Sequence, residues 1–168
     1  MSLIFVDVEA FGGAPCVGRM TEFGAVEFKS QESFHGVLWA AKPDAENPAI
    51  SRLDPNAIQK SEEERKQVFV DFDKWLTKFE GHPIFISDNN GYDYQWINDG
   101  FWKYLGYNPF GHSSRRISDI YSGLVHDLKQ GTRWKKYRVT PHDHNPVHDA
   151  LGNVEAFKTI IEKYDLHI

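Results

Sequence analysis

The chain has 168 residues, 40% hydrophobic and 26% charged, enough to bury a sizeable core, and it is expected to fold as one domain over residues 1–168. Its 24 acidic and 19 basic residues leave a net charge of −5, which disfavours a protein that holds nucleic acid by bulk charge alone. One cysteine, Cys16, excludes an intrachain disulfide or a zinc site on two thiolates, and apolar runs such as 3–6 and 83–86 are too short to cross a bilayer, so a cytoplasmic protein without a membrane partner is expected.

Residues 3–8 form an apolar run that opens the chain. Strand periodicity puts Ile4, Val6 and Val8 on one face and Leu3, Phe5, Asp7 and Glu9 on the other. Residues 22–29 and 33–40 are rich in β-formers and closely spaced, which predicts an antiparallel meander with the first strand. Residues 42–55 read as a surface connection. Ser61 followed by Glu64 is a capping box, and Val68, Phe69, Phe72, Trp75, Leu76 and Phe79 give the following helix its buried stripe, with Gly81 as its stop. Residues 83–87 read as a buried strand. Tyr94, Ile97, Phe101, Tyr104 and Leu105 mark a second helix, and 118–128 a third. Residues 115–118 are a weak candidate for a fifth strand. Asn145 and Pro146 are N-cap and N1 of a last helix whose stripe runs from Val147 through Ala150, Val154 and Phe157 to Tyr164. The expected fold is α/β, a mixed sheet of antiparallel meander plus parallel strands flanked by helices.

Three segments carry acids where packing alone would not choose them. Asp7 and Glu9 share one strand face, and two adjacent carboxylates are costly to bury unless a cation lies between them. The 88–93 segment follows the second apolar strand directly and sets Asp93 in the first turn of a helix, with Asp88 or Asn89 available as its cap. In 142–149, Asn145 as N-cap places Asp149 at N4, beside the positive end of the helix dipole and against core-like Ala150 and Leu151. His142, His144 and His148 also raise a rival, a histidine-rich zinc site.

In order and spacing these segments resemble the DEDDh group of 3′–5′ exonucleases, the DnaQ-like branch of the ribonuclease H-like fold. Asp7-Val8-Glu9 matches the first motif, Asn89 through Asp93 the second, and His144 through Asp149 followed by Ala150 the third. The 21–26 stretch resembles the family's second strand. A second register, His148 with Asn153, has the same spacing but puts a poor metal ligand in the acid's place. The run from Thr140 to Ala156 resembles the small stand-alone exoribonucleases more closely, although Pro146 stands where proofreading relatives carry a small residue.

The resemblance implies a ribonuclease H-like fold and two divalent cations, Mg²⁺ or Mn²⁺, held by Asp7, Glu9, Asp93 and Asp149. It implies His144 as general base, for which an imidazole pKa of about 6.5 is suited. The expected partner is single-stranded nucleic acid, RNA favoured over DNA, cut from the 3′ end to nucleoside 5′-monophosphates. A homodimer is expected by analogy with relatives that often dimerise. Arg133, Lys135, Lys136 and Arg138 form the one basic run, interleaved with Trp134 and Tyr137; it either tracks the substrate backbone or is a solvated loop with Trp134 in the core. Phe11, Asn89 and Tyr92 adjoin the motifs and complete the expected substrate contacts. A DNA exonuclease of the same fold and a catalytically idle binding module are the competing readings.

Overall fold

The computed structural model describes residues 1–40 and 58–168, so the predicted connection at 42–55 lies outside the described residues. β1 (Ser2–Phe11), β2 (Arg19–Glu27) and β3 (Ser33–Val37) form the meander. Two-residue strands β4 (Trp39–Ala40) and β5 (Ile58–Gln59) pair separately, so the predicted 33–40 strand is divided at Leu38, whose amide is drawn to the carbonyl of Thr21 at 2.8 Å. Then come α1 (Glu62–Leu76), β6 (Pro83–Ser87), α2 (Asn90–Leu105), β7 (Ser114–Arg116), α3 (Ile117–Val125) and α4 (Pro146–Tyr164). Strand order is β3-β2-β1-β6-β7, antiparallel within the meander and parallel from β1 to β6 to β7. This is the expected mixed sheet flanked by helices, with the weakly signalled fifth strand at its edge.

The alternation of β1 divides the core. Ile4, Val6 and Val8 pack with α1 and α2 through Phe69, Phe72, Ile97 and Phe101. Leu3 and Phe5 face the α3–α4 side with Val154, Phe157 and Ile160; the Phe5 and Phe157 rings lie 5.3 Å apart. Truncating such an aromatic costs about 3–5 kcal/mol. Asp7 and Glu9 continue the Phe5 face beyond the end of its apolar packing, so strand periodicity aims both at the N-terminus of α4.

Local signals set the helix ends. Ser61 and Glu64 form the capping box, and Asn145 Oδ1 accepts from the Val147 amide at 3.1 Å with Pro146 in the first turn. α1 stops at Leu76, not at Gly81: Thr77 caps it, its Oγ1 donating to the Lys74 carbonyl at 2.7 Å, and Phe79 lies past the end, edge-on to Trp75. α3 likewise ends at Val125, because His126 adopts a left-handed conformation at φ 54°. Asn89 is N-cap of α2, yet its side chain makes no cap bond; Asn90 instead donates to Ser114 Oγ at 2.8 Å and ties α2 to β7.

Candidate active site

A carboxylate cluster gathers at the C-terminal end of β1. Asp7 and Glu9 come from β1, Asp93 from the first turn of α2, and Asp149 from the first turn of α4. Asp7, Glu9 and Asp149 each offer an oxygen within 4.8 Å of the others. Glu9, Asp93 and Asp149 are buried and Asp7 is partly so.

Two glycines make this approach feasible. Gly24 stands opposite Asp7 on β2. A Cβ there would lie 2.3 Å from the backbone carbonyl of Pro146, so its absence lets the N-terminus of α4 rest directly on the sheet, with Asp149 over Asp7 and Glu9. On α4 itself, a Cβ at Gly152 would lie 2.6 Å from Nε of Arg138. The guanidinium sits in that notch and donates through Nη2 to Asp149 Oδ1 at 2.8 Å and through Nη1 to Asn153 Oδ1 at 3.4 Å.

The electrostatics follow from crowding. Burial, and then the like charges of Asp93, Asp149 and Glu9, push the Asp7 carboxyl well above its ordinary 3.8; Arg138 opposes them. Burial also raises Asp93 to about 7, against the pull of Ser87 and the backbones of Val8 and Asn89. Asp93 Oδ2 finds no hydrogen-bond partner among the described residues. Four carboxylates facing one guanidinium make a site short of positive charge, and an all-oxygen donor set suits a hard cation.

Two histidines stand at the mouth, each about half exposed. His144, in a left-handed conformation at φ 60°, brings Nδ1 to 3.6 Å from Glu9 Oε1. His142 Nδ1 lies 2.7 Å from Asp149 Oδ2, and the two rings are 4.6 Å apart. His148 turns away and pairs with Asp143 at 2.9 Å, so the three histidines of the zinc rival do not converge. Asn153 belongs to the Arg138 seat rather than to the carboxylate cluster.

The remaining expected residues scatter around this centre. Tyr92 donates to the Ala10 carbonyl at 3.0 Å and thereby ties α2 to the end of β1. Phe11 ends β1 with the Arg19 guanidinium over its ring at 5.6 Å. In the basic run, Trp134 is wholly buried and its indole N–H donates to Ser118 Oγ at 3.0 Å, so that ring is core rather than a stacking platform. Lys135 reaches Asp88 at 2.6 Å, Arg133 reaches Gln130 at 3.4 Å, and Lys136 lies over Tyr137. Arg138 leaves the run and enters the site.

Sequence reasoning left His142 without a role and did not foresee the Arg138–Asp149 pair. A glycine inside a helix costs about 1 kcal/mol against alanine, so Gly152 was the available signal that something approaches α4 closely. Glu22 was also missed as a buried acid: it faces Glu9 across the β1–β2 pair, with His35 Nε2 at 2.6 Å from its Oε2.

No protein-family model matches the chain. A curated relative, the 3′–5′ DNA exonuclease Cap18 of Escherichia coli, is 30% identical over 171 residues, covering 94% of this chain and 90% of the relative. Among solved structures, the nuclease domain of 3′hExo, a DEDDh family member bound to rAMP, superposes with a TM-score of 0.66 at 16% identity over 99% of this chain and 95% of that one. The zinc-bound E. coli ExoI–ssDNA complex superposes with a TM-score of 0.65 at 14% identity over 98% of this chain, which spans 41% of the ExoI chain. At these identities the structural likeness speaks for the fold.

Proposed function

Because the chain belongs to the DEDDh family of 3′–5′ exonucleases, we propose that it removes nucleotides from the 3′ end of single-stranded DNA, with Asp7, Glu9, Asp93 and Asp149 as metal ligands and His144 as general base. The observation that carries this reading is the convergence of Asp7, Glu9 and Asp149 within 4.8 Å of one another, with Asp93 near enough to act on Asp7 by like charge and His144 beside Glu9. The residues fit a pair of hard cations: the donors are carboxylates, Asp93 Oδ2 is buried without a hydrogen-bond partner among the described residues, and burial, followed by the neighbouring like charges, raises Asp7. Mg²⁺ or Mn²⁺ held there would supply Lewis-acid stabilisation of the attacking and leaving oxygens of an in-line displacement.

The side chains supply the rest. With Nδ1 turned to Glu9, His144 takes the proton of the attacking water at Nε2 and, being half exposed, passes it to solvent. Arg138 holds Asp149 Oδ1 and so fixes the orientation of this buried carboxylate, whose Oδ2 faces His142. Phe11 and Tyr92 border the site where a terminal base would lie, and Lys135, Lys136 and Arg133 offer local positive charge to the phosphate backbone.

Cap18, a DNA exonuclease, supports DNA as the substrate. A second reading, RNA, is supported by the His144-Asn145-Pro146-Val147 run and its likeness to stand-alone exoribonucleases. A time course on 5′-labelled single-stranded DNA and matching RNA, with Mg²⁺, Mn²⁺ or EDTA, tests both. The expected result is a ladder shortening from the 3′ end on DNA, absent in EDTA. Shortening of RNA alone would transfer the reading to RNA, and activity undiminished in EDTA would defeat the metal-dependent mechanism.

A further inference from the structure

The carboxylate cluster is not the sole group of potential metal ligands among the described residues. His142, His144 and Asp149 each offer a donor atom within 4.8 Å of the other two. Asp149 belongs to both sets. Its Oδ1 is anchored from behind by Arg138 at 2.8 Å, and its Oδ2 faces His142 Nδ1 at 2.7 Å. Asp149 Oδ2 is buried without a hydrogen-bond partner among the described residues, and because ligands about 2.0–2.1 Å from a tetrahedral ion stand about 3.3 Å apart, an ion could enter between it and His142 Nδ1 with a sub-ångström opening of that pair. The His142 and His144 rings are each 55% exposed at the mouth, within reach of an ion arriving from solvent. Their centroids lie 4.6 Å apart, so the two rings stand side by side.

The two sets differ in chemistry. Carboxylates alone suit Mg²⁺ or Mn²⁺, whereas two imidazoles and one carboxylate suit a borderline ion, and nitrogen donors favour zinc over manganese. We infer that His142, His144 and Asp149 form a second, inhibitory site for a borderline divalent cation of the zinc class. Occupancy takes Asp149 from the carboxylate set and His144 from proton transfer. The inhibition rests on the roles proposed above, whereas the binding does not.

Co²⁺ serves as a spectroscopic probe of binding, with Zn²⁺ as its competitor, in the full chain. The expected result is the intense visible absorption of four-coordinate Co²⁺, lost on adding Zn²⁺. Asp7→Asn should retain this band, and His142→Ala should remove it and weaken Zn²⁺ binding in calorimetry by about tenfold or more. His142 is exposed, so its replacement should not disturb folding, which circular dichroism checks. In Mg²⁺-supported hydrolysis, each variant referred to its own uninhibited rate, the Zn²⁺ concentration for half inhibition should rise about tenfold or more in His142→Ala. Zn²⁺ affinity unchanged in His142→Ala, or a Co²⁺ band lost in Asp7→Asn, would place the ion among the carboxylates and overturn the inference. Absence of hydrolysis in the unmodified protein would strike the proposed function, while the Co²⁺ titration still decided the binding site.

Discussion

Replacing Asp93 with asparagine should stabilise the metal-free protein at about pH 8 while abolishing turnover. Asp93 holds its proton with a pKa of about 7 when folded, against an ordinary 3.8, mainly because it is buried. Between those values the folded chain keeps a proton that the unfolded chain releases, so stability falls as pH rises, and the loss is complete once pH exceeds the folded value. The difference corresponds to about 4 kcal/mol for charging this carboxyl. Asparagine removes that cost but forfeits part of the carboxylate's hydrogen bonding, leaving a gain of about 2–3 kcal/mol, or on the order of 5–10 °C in Tm for a chain of this size. Thermal unfolding in EDTA at about pH 5 and about pH 8 measures it: the gain should appear at the higher pH and vanish at the lower. Added Mg²⁺ should stabilise the unmodified protein more than the variant, because the ion offsets the charge that asparagine lacks. A variant equally destabilised at both pH values would refute the reasoning, since it would make Asp93 a packing group rather than a strained ligand.

Gly24→Ala should separate α4 from the sheet, since the new Cβ meets Pro146 backbone at 2.3 Å; a loss of about 1–3 kcal/mol in urea unfolding, with activity falling more than stability requires, is expected. Arg138→Ala leaves the buried Asp149 carboxylate without its guanidinium and should cost about 3–5 kcal/mol in EDTA, with saturating Mg²⁺ recovering part of it; no change in unfolding midpoint would show that the pair is not needed. His144→Ala should lower kcat by about 10²–10⁴ and leave the calorimetric Mg²⁺ affinity little changed; equal loss of both would make His144 a ligand for that ion.

Elements whose signal is local were legible from the sequence. The alternation of β1, the Ser61–Glu64 capping box and the Asn145-Pro146 helix start each depend on neighbours in the chain, and each lies where the pattern placed it. The same holds for Asp7, Glu9, Asp93 and Asp149, since two sit at strand-periodic positions and two in first helical turns. What escaped is set by long-range contact. The β4–β5 pair joins Trp39 to Gln59 through only two residues per strand, too short for periodicity to mark. The end of α1 at Thr77 came from a hydroxyl cap that competed with the expected glycine stop. Arg138 looked like one more cation in a basic run until a notch at Gly152, fourteen residues onward in the numbering, received it. His142 reaches Asp149 because the loop before α4 folds back over the helix start, a geometry that spacing alone does not encode.

The central claim, that four carboxylates from distant parts of the chain hold hard cations for hydrolysis, is tested most directly by anomalous scattering from crystals soaked in Mn²⁺. The account predicts anomalous density among the carboxylates of Asp7, Glu9, Asp93 and Asp149, lost in the Asp7→Asn variant. Manganese bound elsewhere, or a cluster that takes no ion while the enzyme is turning over in the same Mn²⁺ buffer, would contradict it.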